Sequence, residues 1–561
     1  MGTQIENFGK TIVVSLFCFF TAIHFATGQT ADNDAVLFTE ITAELGFDDT
    51  PEPWPDGTYA THEVIGGGIA LFDYDNDGDL DLLQIRFPPP GQIDTPAPNR
   101  LFQQQPDGIF LDVTAAAGLG DPGYGQGVAI GDVDNDGDLD VYVTNFGPDA
   151  FYRNNGDGTF VNGTKHAGFS NDRWGTSAAF VDYDRDGDLD LYVVNYVQFD
   201  PATVCRGKHS AQDYCNPQVF ENTLDVLYRN NGDGTFTDAT AHAGITSPGR
   251  GLGIVCVDLT ADGWVDFYVA NDGEANQLWV NNRDGTFTDE AILRGVAFNT
   301  YGQPEGSMGV TVGDINGDKK LDLFTTHLTG ETNTLYISSE YTIFTDATEV
   351  SGFVGSDLPF TGFGCGFFDF DHDSDLDLAL VNGRVKRGPV MNGANVGTFW
   401  NAYAEPNLLF QNDGTGHFTG VNSRTSTFAK RVEVSRGLAF GDIDGDGDLD
   451  LAIANLNGVR VFRNDAPPHG THWLLVRAVT GKRDAIGAKV TVIAAGRKFI
   501  GLVLPGYSYL SSNDPRVHFG LGKIEVIEAI EVVWPDGARE RFNVPSVDRE
   551  WVVRQGDGES Q

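Results

Sequence analysis

The sequence predicts an all-β fold, a seven-bladed β-propeller followed by a small β-sandwich. Three observations carry that expectation: an Asp-rich nine-residue loop occurs seven times, a turn-and-strand pattern recurs around each loop, and both stop after Asn464. Many Gly and Pro (70 and 24) favour turns over long helices, and 39 Phe supply apolar side chains for a core.

The loop is clearest at Asp132-Val-Asp134-Asn-Asp136-Gly137-Asp138-Leu-Asp140. A hard cation takes about six to eight oxygens at ~2.3–2.6 Å, and carboxylates on alternate residues of a tight loop can supply most of them. Asp132, Asp134 and Asp136 would offer side-chain oxygens, Gly137 the sharp turn, Asp138 its backbone carbonyl, and Asp140 would close the far side. This is the front of an EF-hand loop without its helices. Position 12 is Val143, not Glu, inside an alternating stretch that reads as a strand, so the loop belongs between strands.

Complete copies stand at Asp73, Asp75, Asp77, Asp79 and Asp81, at Asp182, Asp184, Asp186, Asp188 and Asp190, and at Asp442, Asp444, Asp446, Asp448 and Asp450. A further copy, Asp369, Asp371, Asp373, Asp375 and Asp377, has Ser374 in the Gly position, which predicts a strained turn. Two copies are depleted. One keeps Asp258, Asp262 and Asp266 but has Thr260 and Trp264; the other keeps Asp314, Asn316, Asp318 and Asp322 beside Lys319 and Lys320. A single Asp- and Gly-rich loop is ordinarily a solvated turn, but seven in register argue for bound Ca²⁺, several ions, with these two loops weak or silent.

Around the loops runs a longer unit, Asn154-Asn-Gly-Asp-Gly-Thr-Phe160, then an apolar strand, the loop, and Leu189-Asp-Leu-Tyr-Val-Val-Asn195. Asn-Gly-Asp-Gly reads as a hairpin turn, with Phe160, Phe236 and Phe287 anchoring the returning strands. Loop-to-loop steps of 59, 50, 76, 56, 55 and 73 residues each leave room for four short strands. Radial repetition of such sheets makes a propeller, whereas calcium-binding solenoid repeats are far shorter. The two longest steps hold insertions, 198–224 and 384–405, expected on one face, where partner recognition could lie.

The net charge is −44, and 31 of 80 acids lie inside the seven loops. The remaining acidity repels nucleic acid and anionic membranes, so neither is an expected partner. Lys10, the apolar run 11–20 and the small residues 26–28 predict a secretory signal peptide over 1–28, with no membrane span following and a secreted or periplasmic chain. Cys205 and Cys215 then predict a disulfide pinning the first insertion, with a metal pair as the alternative, while Cys256 and Cys365 read as buried thiols.

Gly441-Asp-Ile-Asp-Gly-Asp-Gly-Asp-Leu-Asp450 and its copies resemble FG-GAP and VCBS repeats, the calcium-loop repeats of integrin α-subunit propellers and many exported bacterial proteins; the resemblance covers about 35–465. It implies side-chain ligands at Asp442, Asp444, Asp446 and Asp450 and a carbonyl ligand at Asp448. After a short linker from Asp465, strand-like runs predict a sandwich over 470–555. Ala485–Val490, Gly506–Arg516 and His518–Gly522 closely resemble the UnbV-type domain that ends the cartilage acidic protein family. The order of modules resembles its bacterial members, and the growth-factor-like module of its animal members is absent. Asn513, Asp514, Arg516 and His518 form either a polar ligand site or, more simply, a turn held by the Arg and His.

With no nucleophile-and-base pair, phosphate-cradling loop or zinc spacing in the sequence, a non-enzymatic scaffold that binds an extracellular protein or glycan is the leading expectation. The alternative is a polysaccharide lyase or hydrolase on the propeller's central face, using residues outside the repeat such as His209, His327, Arg384 and Tyr403. A partner subunit of an exported complex is a third reading. Fold alone does not choose among them.

Overall fold

The computed structural model describes residues 36–47, 54–207, 211–353, 355–421, 425–544 and 546–561. The expected leader and His209 lie outside the described residues. Those from Val36 onward form one compact unit.

Among the described residues, seven sheets are each built on four antiparallel strands. Their inner strands are Ile69–Phe72, Gly125–Gly131, Gly175–Val181, Gly251–Val257, Val310–Gly313, Gly362–Phe368 and Ser435–Gly441. Each inner strand neighbours the next, and the seventh returns to the first, so the sheets are the blades of a closed propeller. The ring is sealed by the chain's beginning. Phe38–Glu40 pairs with Gly458–Asn464 as the outer strand of the last blade. Without Phe38–Glu40, the strand Gly458–Asn464 would be the unpaired outer edge of the last blade.

Crowding at the axis explains the glycines of the inner strands. A Cβ on Gly127 would sit 2.5 Å from the carbonyl oxygen of Thr176 in the next blade, and one on Gly253 would sit 2.2 Å from that of Met308. Farther out, Phe and Tyr from paired blades fill the seams. Phe169 lies 4.5 Å from Phe236 and Tyr192 4.9 Å from Phe267 between ring centroids, an arrangement that adds to plain area burial.

Residues 472–560 form two further sheets. In one, His472–Thr480 pairs with Arg483–Asp484 and Val517–Gly522 and, in parallel, with Glu550–Arg554. In the other, Lys489–Ala494 is central, between Arg497–Leu502 and Ile527–Val533. Leu474, Val490, Ile530 and Trp534 pack between them, each almost wholly buried.

This tail does not stand apart from the ring, because its segment 505–514 runs into the propeller's central channel. Ser508 exchanges backbone hydrogen bonds with Val310 (2.8 and 3.0 Å), Leu510 accepts from Val128 (3.2 Å), and Ser512 bonds both Ile69 and Leu71 (3.0 and 3.1 Å). Ser508 Oγ accepts from Cys365 N (3.1 Å), and Asn513 Oδ1 from Phe440 N (3.1 Å). At the tip, the Tyr509 hydroxyl donates to the carbonyl of Ile65 (2.9 Å). The segment thus offers the inner strands the partners that their backbone groups would otherwise lack beside a central hole.

Candidate metal centres and the face opposite them

Each inner strand runs directly into an Asp loop, and the antiparallel second strand returns from it, so all seven loops lie at one face. Two positions in every loop take left-handed backbone. The sixth was expected, and there Ser374 (φ 81°) and Lys319 (φ 70°) hold the conformation that Gly137 (φ 100°) adopts without strain. The fourth was not expected: Asn76, Asn135, Arg185, Ala261 and His372 lie at φ 54–63°.

The turn is tied by its own acids. In all seven loops the first Asp (73, 132, 182, 258, 314, 369, 442) accepts the sixth residue's N–H at 2.8–3.2 Å. The ninth (81, 140, 190, 266, 322, 377, 450) accepts two more N–H groups. One comes from the loop's second residue, and one from the third strand's end, for Asp140 from Val133 and Asn154 at 3.1 and 2.8 Å. These last Asp side chains are at most 1% exposed, so they latch the blade besides facing the loop's interior.

Carboxylate oxygens converge within 4.8 Å of one another in five loops: Asp73, Asp75 and Asp81; Asp132, Asp134 and Asp136; Asp182, Asp184 and Asp190; Asp369, Asp371 and Asp377; and Asp442, Asp444 and Asp446. The seventh-position acids Asp79, Asp138, Asp188, Asp375 and Asp448 stand outside these groups. Asp138 and Asp188 instead accept from Asn76 and Asn135 of the preceding loops at 2.7 and 2.8 Å, which suits residues expected to present a carbonyl inward. Asp77, Asp186 and Asp373 accept the N–H of the seventh residue of their own loops at 3.0–3.1 Å. The loops at Asp258 and Asp314 gather no such group among the described residues. Arg283 pairs with Asp262 at 2.8 Å and Lys320 with Asp318 at 2.7 Å, so internal cations meet the acids that remain, while Asp266, Asp322 and Asn316 serve backbone N–H groups.

The electrostatics fit a cation. Burial, followed by repulsion among neighbouring acids, pushes Asp73, Asp132 and Asp182 up to about 6 and Asp442 to about 7. One oxygen each of Asp75, Asp182, Asp371 and Asp442 is buried without a hydrogen-bond partner, as is one of Asp314. Buried oxygens are rarely left so, and a hard cation with an oxygen-only donor set would satisfy them. Asp314 shows that its loop keeps part of the arrangement. In one converged loop Arg153 reaches Asp134 at 2.6 Å, a cation that an ion there would meet as a competitor.

The tail rests on this face. Arg483 donates to Asn135 Oδ1 (2.8 Å) and to the Gly187 carbonyl (3.0 Å), and Lys482 to that of Asp136 (3.1 Å). The simpler reading of the tail's polar cluster holds. Arg516 pairs with Asp514 at 2.8 Å, Asn513 donates to Pro505 O at 2.8 Å, and half-buried His518 contacts the Gly447 carbonyl at 3.0 Å. Burial pulls His518 down to about 3, and these residues hold the plugging segment in place.

Two repeated devices escaped sequence reading. In five blades the Asn that ends the third strand donates across the seam to the second residue of the preceding loop. The pairs are Asn154 to Tyr74, Asn230 to Val133, Asn281 to Tyr183, Asn412 to Ile315 and Asn464 to Phe370, at 2.8–2.9 Å, with Gln104 reaching Ile443 likewise. In addition, in six blades the residue before the third strand, Asn99, Asp149, Asp225, Asn276, Asn333 or Asn407, accepts an N–H in or just after the second strand at 2.7–3.2 Å. The signal was there, an Asn or Asp at one place in most copies, but turn chemistry explained it equally well.

The two insertions meet on the opposite face. Cys205 and Cys215 are disulfide-bonded, and Asp213 beside them accepts from the Tyr403 hydroxyl (3.0 Å) and from Arg387 N (3.1 Å). Cys256 and Cys365 are free and buried, and burial pushes both thiols up. His327, Arg384 and Tyr403 come to this face already engaged. Buried His327 Nε2 contacts the hydroxyls of Ser307 and Thr325 (3.1 Å each), and Arg384 pairs with Glu405 at 2.8 Å. Between the insertions lies a cavity of about 1030 Å³.

The chain matches the FG-GAP-like repeat family over 73–143, 132–193, 219–269 and 258–325, and the ASPIC and UnbV family over 478–560. It is similar to cartilage acidic protein 1 of Homo sapiens, 27% identical over 59% of this chain and 40% of that protein. The Xenopus tropicalis protein is 27% identical over 54% and 44%. The chain thus matches less than half the length of these relatives. Among solved structures, an Agrocybe aegerita lectin described as recognising non-reducing terminal N-acetylglucosamine aligns at TM-score 0.38 and 17% identity, over 70% of this chain and 86% of that one. YCF48 bound to D1 peptide aligns at TM-score 0.39 and 8% identity, over 75% and 99%. Likenesses this low add nothing to the fold assignment, which rests on the sheets themselves. By its repeats and its tail, the chain is an FG-GAP-repeat propeller protein with a C-terminal ASPIC and UnbV domain.

Proposed function

We propose that this protein is an exported binding scaffold whose propeller is stabilised by several Ca²⁺ ions. The observation that carries the reading is the set of five converged carboxylate groups, four of which hold a buried oxygen without a partner. Asp73, Asp75, Asp81 and their counterparts would hold each ion, which would supply charge neutralisation that the loop's N–H groups only partly provide. With polar residues of one face committed to the loops and covered by the tail, recognition of an extracellular protein or glycan falls to the insertion face. No helix of the described residues is long and apolar enough to cross a membrane.

Calorimetric melting of the full chain, with excess Ca²⁺ and then with chelator, tests this alongside ion stoichiometry. A calcium-dependent rise in Tm with about five ions bound is expected. An unchanged Tm with no bound ion would reduce the loops to solvated turns and end the proposal.

A further inference from the structure

Over the whole chain 80 carboxylates outnumber 36 cations, yet the wall of the insertion-face cavity reverses that ratio. Arg206, Arg384, Lys386 and Arg387 face it against Asp213. Asp213 is already engaged by Tyr403 and Arg387, and Glu405 pairs with Arg384 and also attracts Arg436. Lys386 is exposed on the rim, and Arg387 lies over the Tyr59 ring at 5.6 Å.

Beneath the cavity sits a further cation. Arg436 is fully buried and donates to the carbonyls of Val64 (2.7 Å), Ser435 (2.7 Å) and Gly383 (3.1 Å), the last beside Arg384. Its guanidinium lies 3.9 Å over the Phe363 ring, and the carboxylate that attracts it is buried Glu405, which Arg384 already shares. Burial lowers Arg436 to about 10, so it keeps its charge at neutral pH. A buried charge is screened far less than a surface one, so the floor adds to the positive field of the rim.

Elsewhere in the wall Val219, Leu328 and Val385 give an aliphatic patch beside polar Asn216, Thr329 and Thr361. The aliphatic patch suits an apolar side chain, the polar groups can meet a peptide backbone, and the cations call for flanking carboxylates. A volume at the upper end of the usual ~300–1,000 Å³ for small-ligand sites has room for a few residues of peptide. We propose that the cavity binds a short acidic peptide segment, an apolar side chain seated against Leu328 and Val385 and its flanking carboxylates on Lys386 and Arg387. The proposal names a partner class for the scaffold but stands on the cavity alone, so loss of the calcium reading would leave it intact.

The test is fluorescence anisotropy on the full chain in Ca²⁺, with a labelled pentapeptide in which leucine is flanked by two acidic residues on each side. Saturable binding is expected. Lys386→Glu and, separately, Val219→Glu, at exposed positions, should each weaken it about tenfold at unchanged Tm. Replacing the peptide's leucine by serine should weaken it similarly. Equal binding of a lysine-flanked peptide, no saturable binding, or variants that leave affinity unchanged would overturn the proposal. So would a uronate trisaccharide that binds where the peptide does not, since the cavity would then be a glycan site.

Discussion

Asp149 and Asp225 occupy a position that Asn fills in four other blades, so what the fold uses there is an acceptor and not a charge. Burial pushes both carboxyls up to about 7, against a reference near 4 in the unfolded chain. The folded state therefore holds a proton that the unfolded chain has released between those values. Stability from this source is full below about pH 4 and declines as pH rises towards 7. Asp149→Asn should flatten that decline. In calcium-saturated protein, Tm is expected to fall less between pH 5 and 8 in the variant than in the parent, and parallel pH profiles would contradict the assignment. The residue was visible in the sequence, but its role was not, because Asn and Asp before a strand also make ordinary turns.

Within the loops, the seven copies are built alike but differ in what meets their acids. Asp132→Asn with Asp136→Asn should lower the number of bound Ca²⁺ by one, whereas Asp258→Asn should leave it unchanged, since Arg283 already pairs with Asp262 there. Equal losses in ion titrations of the two variants would overturn the ranking. The seam staples belong to the same scale. Asn230→Ala removes the donor to the carbonyls of Val133 and Leu189, both buried, and should cost about 1–3 kcal/mol in denaturant melts. Asn155→Ala, next to the corresponding Asn of the previous blade but in the exposed turn, is the control and should cost far less. The loops were legible because nine residues suffice to specify them. The staples were not, because Asn230 and Val133 are 97 residues apart and meet only once two blades lie side by side.

Over the whole molecule, ring and tail stabilise one another through the segment in the channel. Tyr509 is fully buried against Phe363, with ring centroids 4.9 Å apart. Tyr509→Ala should cost about 3–5 kcal/mol, as removal of a buried aromatic does. It should lower the melting of propeller and tail together in a single calorimetric transition. Two separate transitions, with only the tail's displaced, would show that the segment does not couple them.

The sequence by itself determined the repeat, the all-β class, the position of each Asp loop between strands, the two depleted loops and the UnbV-like tail. These are properties of short windows, where spacing and residue type dictate local backbone. Tertiary structure alone decided that the tail covers the loop face and fills the channel, that Phe38–Glu40 closes the last blade, and that two insertions nearly two hundred residues apart enclose one basic cavity. Lys386 and Arg387 are unremarkable in the chain. They become a site because ring closure brings the third and sixth blades' insertions together across the axis, a long-range convergence that no local pattern encodes.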